Sequence, residues 1–436
     1  MQSSVESLGA LQRRLNVSVP VAQIDSEVES RLKNLSRTVK LHGFRPGKVP
    51  MKVVVQQFGG QVRQEVLGDA VQKSFGEAVK AQNLRVAGYP QFESKPGPVG
   101  EALTEFEYSA TFEVYPDVIV GDLAVSAVTR PSLVVSEADV DKTIEVLRKQ
   151  RTVYEPAARA AQTDDQVSID FTGTIDGIAF PGGEGKNQVV VIGAGRLLPE
   201  FEQALAGMAA GTSKEFDVRF PDDYHGKEVA GKTARFAATV LQVAAPRVPE
   251  VGPEFAKALG VADGDVTKMR AEIRANVERE VRARIKARVK DQVMQALLDV
   301  STLEVPKALV EIEVQRLEQS ARADLEGRGI KVKDLPFPAD MFREQGERRV
   351  RLGLILAEVV AKHGLSAKPE RVRAVVDEFA QSYEQPQEVV KWYYQSRERM
   401  SEVESLVLEE NVVEWVLGCA NVADQAIAFE DLMGNR

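Results

Sequence analysis

The sequence predicts an α+β multidomain protein in three parts. Three observations carry that prediction. The first 116 residues combine a helical apolar stripe with a strictly alternating strand. Residues 151–246 are glycine-rich and alternate strand by strand, and residues 247–436 follow helical spacing almost throughout. A length of 436 residues suits two to four such units.

In the first part, Leu15, Val17 and Val19 alternate with Asn16 and Ser18, which marks a strand. Ile24, Val28, Leu32, Leu35 and Val39 form the stripe of an amphipathic helix. Gly43 fits the stop of that helix, and Pro50 fits the first turn of the next. Helical segments are expected near 51–58 and 61–81, with Gly59-Gly60 as a break between them. Two strands close the unit. In the second, Phe106, Tyr108, Ala110, Phe112 and Val114 alternate with polar residues. Residues 117–150 read as a connector, extended as far as Pro131. Ser136 and Asp139 then form a capping box ahead of a short helix with Val140, Ile144 and Leu147 on one face.

In the middle part, Val167, Ile169 and Phe171 mark one strand and Asp176-Gly177 a hairpin turn. A short helix starts at Pro199 and carries Phe201 and Leu205. Later strands hold Phe216, Val218 and Phe220, then Phe236, Ala238 and Val240. Together they describe a curved antiparallel sheet wrapped on one short helix. Gly182-Gly183-Glu184-Gly185-Lys186 lacks the spacing and the Ser/Thr of a phosphate loop, and is expected to be a mobile flap between strands.

The last part, 247–436, is all-α. From Thr267 to about Val300, Met269, Ile273, Val277, Val281, Ile285, Val289, Val293 and Leu297 recur every four residues. Each step overshoots a full turn by about 40°, so the stripe winds around the helix. This predicts a protruding helix that meets different neighbours along its length and leaves apolar surface exposed. Pro306 opens a returning helix, which would complete an antiparallel arm. A second break spans Gly327 to Pro338, and helices follow near 339–363, 369–383, 386–396 and 398–418. The tail from Asn421 to Phe429 reads as extended. Trp392, Tyr393 and Tyr394 fit packing between helices.

The formal net charge of -9 argues against general nucleic-acid binding, although the first fifty residues are locally basic. The single Cys419 excludes an intrachain disulfide and reads as a small buried residue. Three scattered histidines show no metal-ligand spacing, so neither a cofactor nor a metal is expected. A signal-peptide pattern and a membrane-length apolar run are both missing, which predicts a cytoplasmic protein without membrane contact. Nucleophile-elbow, zinc-protease and Walker A motifs are missing too.

The stretch His42-Gly-Phe-Arg-Pro-Gly-Lys-Val-Pro50 lies between two helical patterns and reads as a tight turn. It presents Phe44, Arg45 and Lys48 together at an exposed tip, which suits a partner carrying phosphates and an apolar cleft. On residues alone, an ordinary polar loop with its phenylalanine tucked back is the better fit. However, Gly43-Phe44-Arg45-Pro46-Gly47-Lys48 resembles the signature loop of the bacterial trigger factor family, Gly-Phe-Arg-x-Gly-Lys. Val62 to Gly68 and the Phe112 to Pro116 run also look like that family, and the resemblance spans essentially the whole chain. It implies an N-terminal ribosome-binding domain at 1–116, docking through residues 43–48 on the large subunit near the exit tunnel, with protein and rRNA as partners. It also implies a helical chaperone domain at 247–436 with protruding arms that hold nascent and unfolded polypeptides without ATP. A homodimer of the free chain is left open.

The order of strands, Gly-x-Gly-Arg-Leu-Leu-Pro-x-Phe-Glu helix and Tyr-His loop at 151–246 is similar to FKBP-type peptidyl-prolyl isomerases. That resemblance implies an apolar pocket for proline. Phe171 and Phe180 would be walls, Leu197 and Leu198 would flank the peptide, and Phe201 would be the floor, where many simple enzymes of this type have Trp. Tyr224 would donate at the rim and Phe236 would close the back. Two departures stand out: Pro181 follows Phe180 where small enzymes carry Asp, and the Tyr224-His225 loop is short. On residues alone these rings also fit a plain core, to which Phe216 and Phe220 are assigned. The alternative functions are a non-catalytic holdase with a vestigial isomerase domain and an RNA-binding translation factor. Tight, salt-sensitive RNA binding would mark the second.

Overall fold

A computed structural model describes residues 2–42, 44, 49–95, 104–224, 226–330, 338, 340–381, 383 and 385–434. The chain divides into two compact units, one of residues 1–130 with 287–425 and one of residues 131–286 with 426–436. It is α+β, with separate sheets and a long helical C-terminal stretch.

The first unit begins with strands β1 (Gln2–Ser7) and β2 (Gln12–Pro20), helices α1 (Val21–Thr38) and α2 (Met51–Ala81), and strands β3 (Val86–Ser94) and β4 (Glu105–Val114). The strands pair antiparallel in the order β1-β2-β4-β3. The alternation seen in the sequence sends Leu15, Val17, Val19, Tyr108, Ala110 and Phe112 into one core with Ile24, Leu32, Val54, Val62 and Val66 of the two helices. The Tyr108 hydroxyl donates to the Val71 carbonyl at 3.1 Å and pairs with Ser74 Oγ at 2.8 Å, and burial pushes its phenol pKa up. Strand β1 was not expected. Its polar sequence has no apolar alternation, and backbone pairing with β2 holds it in place.

Gly59-Gly60 does not break the helix, because α2 runs through both residues. Two helical glycines cost about 1 kcal/mol each. Burial of Val54, Val62 and Val66 on the flanking turns outweighs that, at about 1.5–3 kcal/mol per side chain.

Beyond β4 come β5 (Ile119–Val120), a 3₁₀ turn at Leu123–Val125, and β6 (Ala127–Ser132). In the second unit α3 (Glu137–Gln150) follows, with the expected capping box: Asp139 Oδ2 accepts from Ser136 N at 2.9 Å, and Ser136 Oγ accepts from Asp139 N at 3.3 Å. Next are β7 (Val153–Pro156), β8 (Gln166–Ile175), β9 (Ile178–Val191), α4 (Pro199–Leu205), β10 (Ser213–Arg219), β11 (Thr233–Arg247) and α5 (Pro253–Ala258). The sheet order is β10-β11-β8-β9, with β7 also paired to β11. Asp176 and Gly177, with φ of 52° and 80°, make the tight turn between β8 and β9. The glycine-rich run 182–186 lies inside β9 as part of the sheet and is not a flap between strands.

Asp165 lies buried at the start of β8. Its carboxylate accepts two hydrogen bonds from Arg159 at 2.5 and 2.8 Å and one from Gln162 N at 2.8 Å. The Arg159 guanidinium holds the Asp165 carboxyl below the usual carboxylate range. Because the native pKa is depressed, this stabilisation is full above the unfolded value and disappears as the pH falls through the native one. Asp165→Asn is expected to destabilise the β8 region by about 1–3 kcal/mol near pH 7. The gap to wild type should narrow below pH ~4. Urea unfolding resolved by peptide hydrogen exchange at both pH values measures this, and a gap independent of pH contradicts it.

Helix α6 (Val266–Val300) carries the winding stripe. Met269, Ile273, Val277 and Val281 are buried in the second unit with Val140 and Ile144 of α3 and with Leu432. Val289, Val293 and Leu297 are buried in the first. The stripe does change neighbours along its length, but each half is covered, so the exposed apolar face expected of a protruding helix is not found among its described residues.

The remaining elements are β12 (Ser301–Thr302), α7 (Lys307–Gly327), α8 (Asp340–His363), α9 (Pro369–Ala380), α10 (Pro386–Tyr394), α11 (Arg397–Cys419), β13 (Asn421–Ala426) and α12 (Phe429–Met433). Helix α7 packs on α8 and on β3. The contact is built at its first turn. Ala308 meets Gly88, where a Cβ would come within 2.6 Å of it, and Ala308 N donates to Glu113 at 2.8 Å. Of the three aromatics of α10, only Tyr393 packs into the core of α9 and α11. Trp392 and Tyr394 are exposed, with the Arg399 guanidinium 3.7 Å from the Trp392 ring centroid. Cys419 is exposed rather than buried, because α11 ends there and the chain turns extended.

Candidate functional site

One cavity of about 760 Å³ opens on the sheet of the second unit, within the usual size of a small-ligand pocket. It brings together Phe171, Phe180, Leu197, Leu198, Phe201, Tyr224 and Phe236, all seven residues expected there. Phe201 is buried on α4, with ring centroids 5.5 Å from Phe171, 5.0 Å from Phe216 and 5.1 Å from Phe236. All three rings stand nearly edge-on to it, the arrangement that aromatic quadrupoles favour. Tyr224 packs its ring 4.9 Å from Phe220. His225, its neighbour in the sequence, lies outside the described residues.

Strand register explains why the rings converge. Phe236 on β11 faces Gly173 on β8, and Phe171 on β8 faces Gly185 on β9. A Cβ on Gly173 would come within 2.4 Å of Phe236 Cε1, and one on Gly185 within 2.4 Å of Phe171 Cε1. Each ring therefore leans over a position without a side chain. The β8–β9 register also shifts between Thr172 and Thr174, so that β9 bulges at residues 180–183. The bulge carries Phe180 into the cavity, 6.1 Å from Phe236, and a Cβ on Gly183 would come 3.0 Å from the Phe180 ring. The glycine-rich run thus seats the rings.

Phe220 corrects one expectation, since it lines the cavity as well as joining the core, 6.0 Å from Phe180. Arg196, Lys227, Glu228 and Val229 were also missed as lining residues. Nothing in their spacing singled them out, whereas the strand-interior glycines were readable as sites of close approach. At the N-terminal turn, Phe44 is 39% exposed and its N–H donates to Leu41 O at 3.1 Å. Gly43, Arg45, Pro46, Gly47 and Lys48 lie outside the described residues. Among the described residues there is no cluster of His, Cys, Asp or Glu suited to a metal and no helix long and apolar enough to cross a membrane.

Comparison with known proteins bears on the same segments. Residues 1–147 match the family of bacterial trigger factor protein (TF), residues 157–242 the FKBP-type peptidyl-prolyl cis-trans isomerase family, and residues 265–418 the C-terminus of bacterial trigger factor protein. Trigger factor of Nitrosospira multiformis is 56% identical over 435 residues, covering 100% of both chains. Trigger factors of Aromatoleum aromaticum and Chromobacterium violaceum are 54% and 52% identical, again over 100% of each chain. With these relatives matched end to end, the chain belongs to the trigger factor family and is a ribosome-associated molecular chaperone that contains an FKBP-type peptidyl-prolyl cis-trans isomerase.

Proposed function

We propose that the aromatic cavity is the isomerase site. The convergence of Phe171, Phe180, Leu197, Leu198, Phe201, Tyr224 and Phe236 on one space carries this reading. Isomerisation of an X–Pro bond needs neither nucleophile nor proton transfer. Its barrier is amide resonance, about 18–20 kcal/mol, which makes the free reaction take tens to hundreds of seconds. The planar amide is polarised, and the twisted transition state loses that charge separation. A dry aromatic cavity therefore disfavours the planar form relative to the twisted one. Phe201 is the floor for the proline ring, Phe171, Phe180 and Phe236 are walls, Leu197 and Leu198 flank the peptide, and Tyr224 serves as the rim donor.

The proposed division of labour follows the boundaries 1–116, 117–150, 151–246 and 247–436. The N-terminal domain docks through Gly43-Phe44-Arg45-Pro46-Gly47-Lys48 on protein and rRNA near the exit tunnel of the cytoplasmic ribosome. The helical domain holds emerging chains by distributed apolar contacts, and release follows from the client's own folding. The exposed ring of Phe44, followed in sequence by the cations Arg45 and Lys48, supports the docking element. A Phe44→Ala, Arg45→Ala, Lys48→Ala triple variant should stay in the supernatant when wild type pellets with ribosomes. Equal pelleting would move docking elsewhere. Sedimentation of the free protein over a range of concentrations reports whether it forms a homodimer.

A further inference from the structure

Glu202 is a buried carboxylate on α4 that does not line the cavity. Its Oε2 accepts from Gly193 N at 2.9 Å and its Oε1 from Leu197 N at 3.2 Å. Those two N–H groups sit at either end of the loop that supplies Gly195, Arg196, Leu197 and Leu198 to the cavity wall. Gly193 holds φ of 89°, a left-handed conformation that the loop needs at its entry. No cation pairs with Glu202 among the described residues; the carboxylate is satisfied by backbone N–H groups. Burying a carboxylate in this way is costly unless the hydrogen bonds do something for the fold or the site.

From this geometry we infer that Glu202 is a positioning residue for proline-peptide binding. It fastens both ends of the 193–198 loop to the helix that carries Phe201, fixing Leu197 and Leu198 relative to that ring. The inference rests on the reading of the cavity as the isomerase site. Both carboxylate oxygens accept, so a glutamine can replace only one of them and would turn its amide N–H₂ towards the other donor. An aspartate falls one methylene short. The loop contacts the bound peptide in both planar and twisted forms, so loosening it should weaken binding uniformly, raising KM and leaving kcat in place. A purely structural role would lower the amount of folded enzyme, which reduces apparent kcat at constant KM.

The test is steady-state isomerisation of an X–Pro tetrapeptide by full-length Glu202→Gln, Glu202→Asp and Glu202→Ala, with Phe236→Leu measured alongside. The expected result is KM raised about threefold in Glu202→Gln and tenfold or more in Glu202→Asp and Glu202→Ala, with kcat within about twofold of wild type. A fall in kcat at constant KM, or no change in either constant, overturns the inference. If Glu202→Ala does not fold, the KM of Glu202→Gln decides alone. Full activity in Phe236→Leu would instead sink the reading of the cavity itself, so the two failures are distinguishable.

Discussion

Gly173→Ala is expected to cut isomerase kcat/KM by about 10–100-fold while leaving ribosome association intact. The added Cβ would lie 2.4, 2.8 and 2.9 Å from three carbons of the Phe236 ring. No methyl group fits at that distance, so the ring has to leave its place. Phe236 lies within 5.1–6.5 Å, centroid to centroid, of Phe171, Phe180, Phe201, Phe216 and Phe220, and shifting it disturbs them all. Overpacking of this kind costs about 1–3 kcal/mol, and each 1.36 kcal/mol lost from transition-state binding is tenfold in rate. Gly185→Ala should act in the same direction through Phe171, whose ring lies 2.4 Å from the corresponding Cβ position. Gly60→Ala is the control, because open space surrounds that site on α2. Wild-type kcat/KM in Gly173→Ala would mean that the ring constellation does not govern the reaction.

How much of this was legible in the sequence depends on the range of the interaction concerned. Alternation and helical stripes report which face of an element is buried, so β2, β4, α1, the α3 capping box and the short helix at Pro199 could be read directly. The pocket residues came from family motifs, not from periodicity, because a ring that lines a cavity and a ring that fills a core have the same spacing. Phe220 does both, and no local signal separates the two roles. The misreadings share one cause. Gly59-Gly60 and the 182–186 run look like breaks by local propensity, but packing partners far away in sequence decide each of them. Glycine there marks room for a neighbour or costs less than the burial on either side. Glu202 carries no local signal beyond its place in a motif, because its two partners are backbone N–H groups, which every sequence has.

Phe201→Leu is expected to separate the two activities of the chain. Leucine keeps much of the buried volume but gives up three ring contacts, so the domain should lose about 1.5–4.5 kcal/mol, and circular dichroism checks that it remains folded. What it removes is the flat ring, with its edge-on contacts to Phe171, Phe216 and Phe236. Each such contact contributes about 0.5–1.5 kcal/mol beyond area burial, and together they hold the cavity open and its walls upright. A branched chain in that place lets the walls sag into the space meant for proline, so kcat/KM for an X–Pro peptide should fall about 100-fold, or nearly 3 kcal/mol of transition-state binding. Suppression of aggregation of an unfolded, proline-free client should be unchanged, because the holding proposed for the helical domain does not use that ring. Running both assays on the same preparation makes the comparison internal. If isomerisation persists, the floor lies elsewhere and Phe201 is a core residue. If both activities fall together, holding and isomerisation share the cavity, and the helical domain is not the main seat of client binding.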